Sequence, residues 1–291
     1  MENPSQTPKG YWTRMLRSQG YCIVPEALPV ATLSALDVEL SPRFDATPFG
    51  QGGFYGETTK RFGRLLAHSG LTAELVQHAL ILAIVEDILA PFCDRIQLNV
   101  AQAIAIHPNA PSQLPHRDQD MWRAPVGEAE YLVNVIWPLT PFCAENGATL
   151  VWPNTHGARA LGTAPVTEPI AAEMTPGSAL IFLGSTLHGA GANITDEVRR
   201  GIVVGYSLGW LKPYENQWLA YPPEIARTFP AELAALVGYR QHRPNLGNYE
   251  GQCPSVLLYG NADKTLGAID ALRPDQQVQL DTFLAQQRQV L

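Results

Sequence analysis

The stretch IQLNVAQAIAIH, residues 96–107, is rich in isoleucine, alanine and valine and predicts a β-strand. Similar apolar stretches follow it at residues 131–139, 148–152, 178–183 and 201–208. Clusters that contain proline, asparagine and glycine separate these stretches. Short strands separated in this way predict a β-sandwich or barrel, and the long connections between them predict lids.

Helices are expected to flank this β core. Apolar residues recur at helical spacing in residues 29–40, and Pro42 is expected to end that helix. The other elements predicted here are helices at residues 11–19 and 71–92, a strand at 21–24 and a partly helical tail at 213–236. Since no repeat or clear linker divides the chain, residues 1–291 are predicted to form one domain.

The composition excludes several classes of protein. The 291 residues are 46% hydrophobic and 16% charged, which is typical of a folded chain. Lys and Arg total 20 against 27 Asp and Glu, a net charge of −7, so nucleic acid is not expected as a partner. The longest apolar run, residues 79–85, is too short to cross a bilayer, and no membrane insertion is expected.

The cellular compartment is predicted from the N-terminus and the cysteines. Residues 1–5 lack the basic and apolar pattern of a signal peptide. The cysteines are far apart and form no C-x-x-C pair; they are Cys22, Cys93, Cys143 and Cys253. Reduced thiols in a cytoplasmic protein are the expectation.

A histidine and an aspartate stand two residues apart in the run QLPHRD, residues 113–118. In an extended chain such residues point to the same side, so His116 and Asp118 can converge on one metal ion. His188 follows a later apolar strand and offers a third ligand. Two histidines and one carboxylate are the ligand set of non-haem Fe(II) oxygenases. The His-x-Asp pair alone is also compatible with a hydrogen-bonded couple on the surface.

Arg199 precedes the strand predicted at residues 201–208. Its fork of donors could hold a dicarboxylate co-substrate. The neighbouring Arg200 fits the same role if the register differs by one residue. Either arginine is also compatible with a position on the surface.

Four motifs occur in order: His116-x-Asp118, NGAT at residues 146–149, HGAGAN at 188–193 and RRG at 199–201. Together they resemble the phytanoyl-CoA dioxygenase family of Fe(II)- and 2-oxoglutarate-dependent oxygenases. Gln113 and the NGAT turn resemble the corresponding motifs in the branch of this family that tailors natural products. The resemblance implies a mainly β fold with flanking helices and a double-stranded β-helix core, the cupin-like jelly roll.

The resemblance also implies roles for individual residues. The implied iron ligands are His116, Asp118 and His188, with 2-oxoglutarate and O2 as co-substrates. The implied contacts to 2-oxoglutarate are Arg199, Gln113, Thr149 and Arg61. Related halogenases lack the carboxylate ligand so that chloride can bind, and the presence of Asp118 therefore disfavours halogenation.

The expected substrate is a small hydrophobic natural product such as a terpenoid or alkaloid, which the enzyme would hydroxylate, desaturate or rearrange. The sequence has no basic cluster that would bind the phosphates of coenzyme A. An acyl-CoA hydroxylase is nevertheless the alternative within the family. Aromatic residues on segments that could line an apolar pocket are Phe54, Tyr55, Trp122, Trp210 and Trp218. A homodimer is compatible with the sequence.

Two functions outside the family compete with this hypothesis. The run GYSLG, residues 205–209, matches the G-x-S-x-G nucleophile elbow of α/β-hydrolases, with Ser207 as nucleophile. That elbow needs a helix directly after it, whereas the run GWLKP at residues 209–213 is a poor helix start. The other alternative is a jelly-roll binding protein that has lost catalysis.

Overall fold

The computed structural model describes residues 9–123, 127–160, 168–260 and 267–290. The run at residues 1–5, on which the signal-peptide prediction rests, lies outside these ranges. The strands are β1 Tyr21–Val24, β2 Thr59–Phe62, β3 Ile96–Ile106, β4 Leu132–Pro138, β5 Thr149–Val151, β6 Ile170–Ala171, β7 Ala179–Leu183, β8 His188–Ala190 and β9 Arg199–Leu208. The helices are α1 Lys9–Gln19, α2 Val30–Ala46, α3 Thr72–Val76, α4 Ala79–Leu89, α5 Gln217–Ala220, α6 Pro223–Ala226, α7 Ala231–Leu236, α8 Val256–Tyr259 and α9 Pro274–Val290.

Two antiparallel sheets form the core. The larger has the strand order β1-β7-β4-β9-β3-β2, and the smaller has the order β6-β5-β8. Apolar side chains from both sheets form one cluster, with Ile136 and Phe182 from the larger sheet and Val151 from the smaller. This arrangement confirms the expected mainly β fold with a jelly-roll core and flanking helices.

Strand β4 separates two environments. Val133, Val135 and Trp137 belong to the large hydrophobic cluster shared with the helices. Ile136 belongs to the cluster between the sheets, and Asn134 points to the same side because side chains alternate along a strand. All of β4 is buried. The outer side of the sheet therefore binds the helices, and the inner side is available for a site.

Helix α2 extends beyond its predicted end. The prediction stopped it at Pro42, but the helix continues to Ala46 with Pro42 inside. Proline lacks the N–H that an interior helical residue donates, which normally breaks a helix. Here Phe44 is buried in the last turn and packs against Phe62, with ring centroids 4.9 Å apart. This tertiary contact stabilises the turn that Pro42 disfavours.

The strands predicted at residues 21–24 and from residue 96 onward are confirmed, whereas β2, β6 and β8 were missed. The sequence of β2, TKRF, contains two basic residues, and β6 and β8 are very short, so none of them shows an apolar run. In the part of the chain that the structure describes, no helix is long and apolar enough to span a bilayer.

Candidate active site

The fold brings His116 and His188 together as antiparallel neighbours. The His116 N–H donates to the His188 carbonyl at 2.9 Å, and the His188 N–H donates to the His116 carbonyl at 3.0 Å. The chain then changes direction, because Asp118 begins a 3₁₀ turn over Asp118–Met121. The His-x-Asp pair thus converges through a bridge followed by a turn, and not along one regular strand.

Both histidines direct the same ring nitrogen towards the aspartate. Nδ1 of His116 lies 2.9 Å from the Leu114 carbonyl oxygen, and Nδ1 of His188 lies 3.1 Å from the Thr186 carbonyl oxygen. Since a carbonyl oxygen only accepts, each Nδ1 carries a proton and donates. In the neutral ring Nε2 then keeps a lone pair, which is the form that binds a metal ion.

Asp118 lies between the two imidazoles. Its Oδ1 is 3.3 Å from His116 Nε2, and its Oδ2 is 3.5 Å from His188 Nε2. Burial raises the pKa of Asp118, but the charges and hydrogen bonds of the two histidines outweigh burial and hold that pKa well below its usual range. Ligand atoms from the three residues all lie within 4.8 Å of one another. The group is therefore able to hold a metal ion.

The same interaction acts on His116 in the opposite direction. Burial alone lowers the pKa of His116, but the hydrogen bond to Asp118 and the negative charge of that carboxylate raise it above its ordinary value. The carboxylate therefore attracts a positive charge to this point. A divalent metal ion satisfies the same attraction without a proton.

Arg199 is a buried cation beside this group. Its side chain is 5% exposed, donates to Thr149 Oγ1 at 3.4 Å and lies over the Phe142 ring at 3.6 Å. Its Nε has no hydrogen-bond partner, and no carboxylate in the described residues forms an ion pair with it. Burial lowers the pKa of Arg199 to about 9, to which the charge of Arg61 contributes. The group stays protonated at neutral pH, and a buried unpaired cation indicates an anionic ligand.

Arg61 supplies a second guanidinium from β2, the strand at one edge of the large sheet. It lies in β2, opposite Ile104 of β3, and its buried Nε also lacks a partner. Its guanidinium carbon is 5.5 Å from the centre of the Tyr55 ring. Burial lowers the pKa of Arg61. Two cations therefore face the space next to the metal-ligand group.

One cavity contains every residue predicted for the site. They are His116, Asp118, His188, Arg199, Gln113, Thr149 and Arg61. Gln113 lies at its edge, where its amide donates to the Phe54 carbonyl and accepts from the Ala190 N–H. The structure thus brings these residues together, while their contacts to iron and 2-oxoglutarate stay predictions.

Arg200 points away from this cavity. Its guanidinium lies 3.4 Å from Asp37 Oδ1, donates to Ser41 Oγ at 2.9 Å and lies over the Phe44 ring at 4.8 Å. Successive residues of a strand point to opposite faces, and Arg199 therefore enters the cavity while Arg200 binds α2. Of the two registers considered from sequence, the geometry favours Arg199.

The polar cavity residues Asn134 and Tyr214 are among those that the sequence analysis missed. The Asn134 side chain donates to Asp118 Oδ2 at 2.7 Å, and the Tyr214 hydroxyl lies 2.6 Å from that of Tyr55. Asn134 did give a signal, because it is a polar residue inside the apolar run LVNVIW. Tyr214 gave none, since it lies in a proline-containing segment with no periodic pattern.

Three of the predicted pocket aromatics do not line the cavity, which corrects that prediction. Phe54 and Tyr55 do line it. The indole N–H groups of the tryptophans donate instead to backbone carbonyls elsewhere, and the pairs are Trp122 to Lys212, Trp210 to Phe92 and Trp218 to Gly238. The bonds of Trp122 and Trp210 attach the segment that follows β9 to earlier parts of the chain, and the bond of Trp218 lies within that segment.

Ser207 is not placed as a nucleophile. It is fully buried within β9, and its hydroxyl accepts a hydrogen bond from Gln97 of β3 at 3.2 Å. A nucleophile elbow requires the serine at a sharp turn from strand to helix. The structure therefore disfavours the hydrolase hypothesis.

Comparison with known proteins gives relatives of one class. The family model described as "Phytanoyl-CoA dioxygenase (PhyH)" matches residues 16–201. Dioxygenase FrzG of Cladobotryum sp. is 37% identical over 210 residues, 65% of this chain and 67% of that protein. Dioxygenase trt7 of Aspergillus terreus is 28% identical over 249 residues, 82% of this chain and 86% of that protein.

Solved structures share the fold. The α-ketoglutarate-dependent epimerase SnoN from nogalamycin biosynthesis has a TM-score of 0.58 at 19% identity, over 72% of this chain and 85% of that one. HygX from Streptomyces hygroscopicus, solved with nickel and 2-oxoglutarate bound, has a TM-score of 0.55 at 14% identity, over 70% and 89%. The family match covers more than half of the chain, and this protein belongs to the phytanoyl-CoA dioxygenase family.

Proposed function

We propose that this protein is an Fe(II)- and 2-oxoglutarate-dependent dioxygenase that oxidises a small hydrophobic natural product. One observation carries the proposal: two histidine Nε2 atoms and a carboxylate converge next to a buried arginine that lacks an acidic partner. The two histidines and the carboxylate suit a divalent metal ion, and the buried arginine suits an organic anion. The curated relatives are named as dioxygenases, which supports the same reaction class.

The metal centre uses the residues predicted for it. In this proposal His116, Asp118 and His188 hold Fe(II), which when bound supplies the activation of O2. The hydrogen bonds from each Nδ1 to a backbone carbonyl fix the ring orientation in advance. The three side chains would thus hold the metal ion as a preformed set of ligands, and the co-substrates would take the remaining coordination positions.

The co-substrate site uses the two arginines. Arg199, aligned by Thr149 and by the ring of Phe142, binds the distal carboxylate of 2-oxoglutarate. Arg61 adds a second positive charge to the lining of the same cavity, and Gln113 adds an amide. A dianion balances the two guanidiniums, which explains why neither has an acidic partner in the described part of the chain.

The substrate class follows from the remaining wall of the cavity. Apolar side chains face the metal-ligand group, and they include Ile104, Ile136, Phe182 and Val203. Such a surface binds an apolar carbon skeleton and excludes water from the reacting carbon. Relatives such as SnoN, described as an enzyme of nogalamycin biosynthesis, support a natural product as substrate.

We further infer that the chain acts as one catalytic domain in the cytoplasm. A single hydrophobic cluster includes Trp12 near the beginning and Leu258 near the end of the chain, which supports one domain. The four cysteines are free thiols, which supports a reducing compartment.

Anaerobic titration with Fe(II) and 2-oxoglutarate tests the metal and co-substrate sites. We expect a weak visible charge-transfer band that needs both ligands. Admission of O2 together with candidate biosynthetic intermediates should then yield succinate and CO2, with one oxygen atom inserted into a C–H bond when the outcome is hydroxylation. Mass spectrometry identifies the product. A band without succinate formation for any candidate would favour the binding-protein alternative, and the absence of the band would overturn the proposal.

A further inference from the structure

Asn134 makes a direct contact with the metal-ligand group. It lies in the middle of β4, is 1% exposed and donates from its side-chain amide to Asp118 Oδ2 at 2.7 Å. A buried amide in an apolar strand costs free energy unless its polar atoms are satisfied. A hydrogen bond to an ionised carboxylate is a strong one, so Asn134 restricts how the Asp118 carboxylate can rotate.

The contact makes the two oxygens of Asp118 different. Oδ2 accepts from Asn134 and lies 3.5 Å from His188 Nε2. Oδ1 lies 3.3 Å from His116 Nε2, and the hydrogen bond from Asn134 goes to Oδ2 and not to Oδ1. Oδ1 is therefore the oxygen with more lone-pair capacity available for a metal ion.

We propose that Asn134 is a positioning residue that holds Asp118 as a one-oxygen metal ligand through Oδ1; the inference rests on the proposed function. A carboxylate that ligates through both oxygens takes an additional coordination position. The reaction needs open positions for 2-oxoglutarate and for O2. By engaging Oδ2, Asn134 keeps that additional position free.

Strand β9 leaves room for this amide. Gly205 is the cross-strand partner of Asn134. A Cβ at Gly205 would lie 2.9 Å from Asn134 Oδ1 and 3.2 Å from Val100 Cγ1. Any side chain at this position would therefore displace the Asn134 amide or the strand. Glycine at position 205 is thus part of the arrangement that directs the Asn134 N–H groups to Asp118.

Anaerobic Fe(II) titrations of the metal-free protein test the inference. The variants are Asn134→Ala, which deletes the donor, and Asn134→Leu, which keeps a similar size and removes the donor without adding a charge. Asn99→Ala is the matched control. Asn99 is as buried as Asn134, but its side-chain oxygen accepts from the Tyr214 N–H at 2.8 Å, whereas Asn134 donates to Asp118. We expect Fe(II) to bind about 10- to 100-fold more weakly to both Asn134 variants, as is typical for partners of metal ligands, and near normally to Asn99→Ala.

Infrared difference spectra of the Fe(II)-bound proteins, with ¹³C-labelled aspartate, give a readout that loss of packing alone would not move. The separation between the two carboxylate stretches is larger for one-oxygen than for two-oxygen ligation. It should be large in the unmodified protein and should shrink in Asn134→Ala. Should Asn134→Ala fail to fold by circular dichroism, Gly205→Ala takes its place, because it displaces the amide without deleting it.

The outcomes separate the two proposals. Unchanged Fe(II) affinity and an unchanged carboxylate spectrum in the Asn134 variants would overturn the role of Asn134 while the metal centre stands. No Fe(II) binding by the unmodified protein would overturn the proposed function, and the inference with it.

Discussion

The hydroxyl oxygens of Tyr55 and Tyr214 lie 2.6 Å apart, within hydrogen-bond distance, although 159 residues separate them in the chain. Tyr55 lies in the loop before β2, Tyr214 follows β9, and both line the central cavity. Burial raises the pKa of Tyr214, and so do the hydrogen bond and the electrostatic interaction with Tyr55. Tyr214 is therefore a neutral hydroxyl at working pH, and a single hydrogen bond joins these two parts of the cavity wall.

Loss of this hydrogen bond should change how the substrate is held. We expect Tyr55→Phe and Tyr214→Phe each to raise the substrate KM or to shift the product ratio, and the double variant to match either single one because the bond is lost only once. Steady-state kinetics and mass spectrometry of products measure this, and Fe(II) and 2-oxoglutarate affinities should stay near normal. Tyr11→Phe, at a similarly exposed tyrosine outside the cavity, is the control. Additive effects of the two substitutions would contradict the expected coupling.

Substitutions of the adjacent Arg199 and Arg200 should have different effects, one on co-substrate binding and the other on packing against α2. We expect Arg199→Gln to raise the 2-oxoglutarate requirement about 10- to 150-fold, because it removes a charge-assisted hydrogen bond worth roughly 1.5–3 kcal/mol. Arg200→Gln should leave that requirement unchanged and lower the melting temperature slightly, since it removes the contacts with Asp37 and Ser41. Succinate formation as a function of 2-oxoglutarate concentration gives both values. The reverse pattern would mean that Arg200 binds the co-substrate.

Asp120, two residues after Asp118, provides a matched control for substitution of the Asp118 carboxylate. Asp118→Ala should abolish turnover and Fe(II) binding while the fold stays intact, because it removes the only carboxylate of the predicted ligand set. Asp120→Ala changes an exposed carboxylate in the same 3₁₀ turn and should retain both properties. His116→Ala and His188→Ala should behave like Asp118→Ala. Normal turnover at substoichiometric iron in any of these three variants would remove the residue from the ligand set.

An ion pair far from the cavity should make the stability of the C-terminal segment depend on pH. Asp94 accepts from Arg243 Nε at 2.8 Å. Burial raises the pKa of Asp94, but the hydrogen bonds and charge of Arg243 outweigh it, so that the folded-state pKa lies below the unfolded value. The pair therefore stabilises the fold above about pH 4, and this contribution is lost as the pH falls through the folded-state pKa.

We accordingly expect Arg243→Gln to lower the melting temperature at pH 7 and to match the unmodified protein at a pH below both pKa values of Asp94. Arg240→Gln is the control, because Arg240 is an exposed neighbour without a hydrogen bond to Asp94 in the structure. Melting curves over a pH series measure the difference. A melting difference that persists unchanged at low pH would show that Arg243 acts by packing and not by its charge.

Local sequence patterns were enough to predict most strands and the metal-ligand group. Apolar runs with turn residues between them set β3, β4, β7 and β9, since those strands are buried on both faces. The group of His116, Asp118 and His188 could be predicted because this residue set matches a known metal chemistry, and the structure brings the three side chains together. The Pro42 prediction failed because the packing of Phe44 against Phe62, distant in sequence, decided the helix end.

Hydrogen bonds between a side chain and a distant backbone group, or between two single polar side chains, were harder to predict. The indole N–H of Trp210 donates to a carbonyl of Phe92, and nothing in the local sequence of either residue marks that contact. Asn134 was detectable only as a polar residue in an apolar strand, which does not reveal its acceptor. Both contacts join residues that are distant in sequence, so they depend on how the segments are placed in the assembled fold.

In the proposed function, the buried guanidinium of Arg199 also couples the stability of the folded protein to the concentration of its anionic co-substrate. A ligand that binds only the folded state adds to its stability in proportion to the logarithm of its concentration, about 2.7 kcal/mol at 100 times its Kd. Because Arg199 is buried without an acidic partner, an anion bound there relieves a cost that the empty protein carries. If 2-oxoglutarate binds at Arg199 as proposed, a low concentration of it would leave more molecules unfolded and open to proteolysis. The abundance of the enzyme would then follow the supply of the compound it consumes.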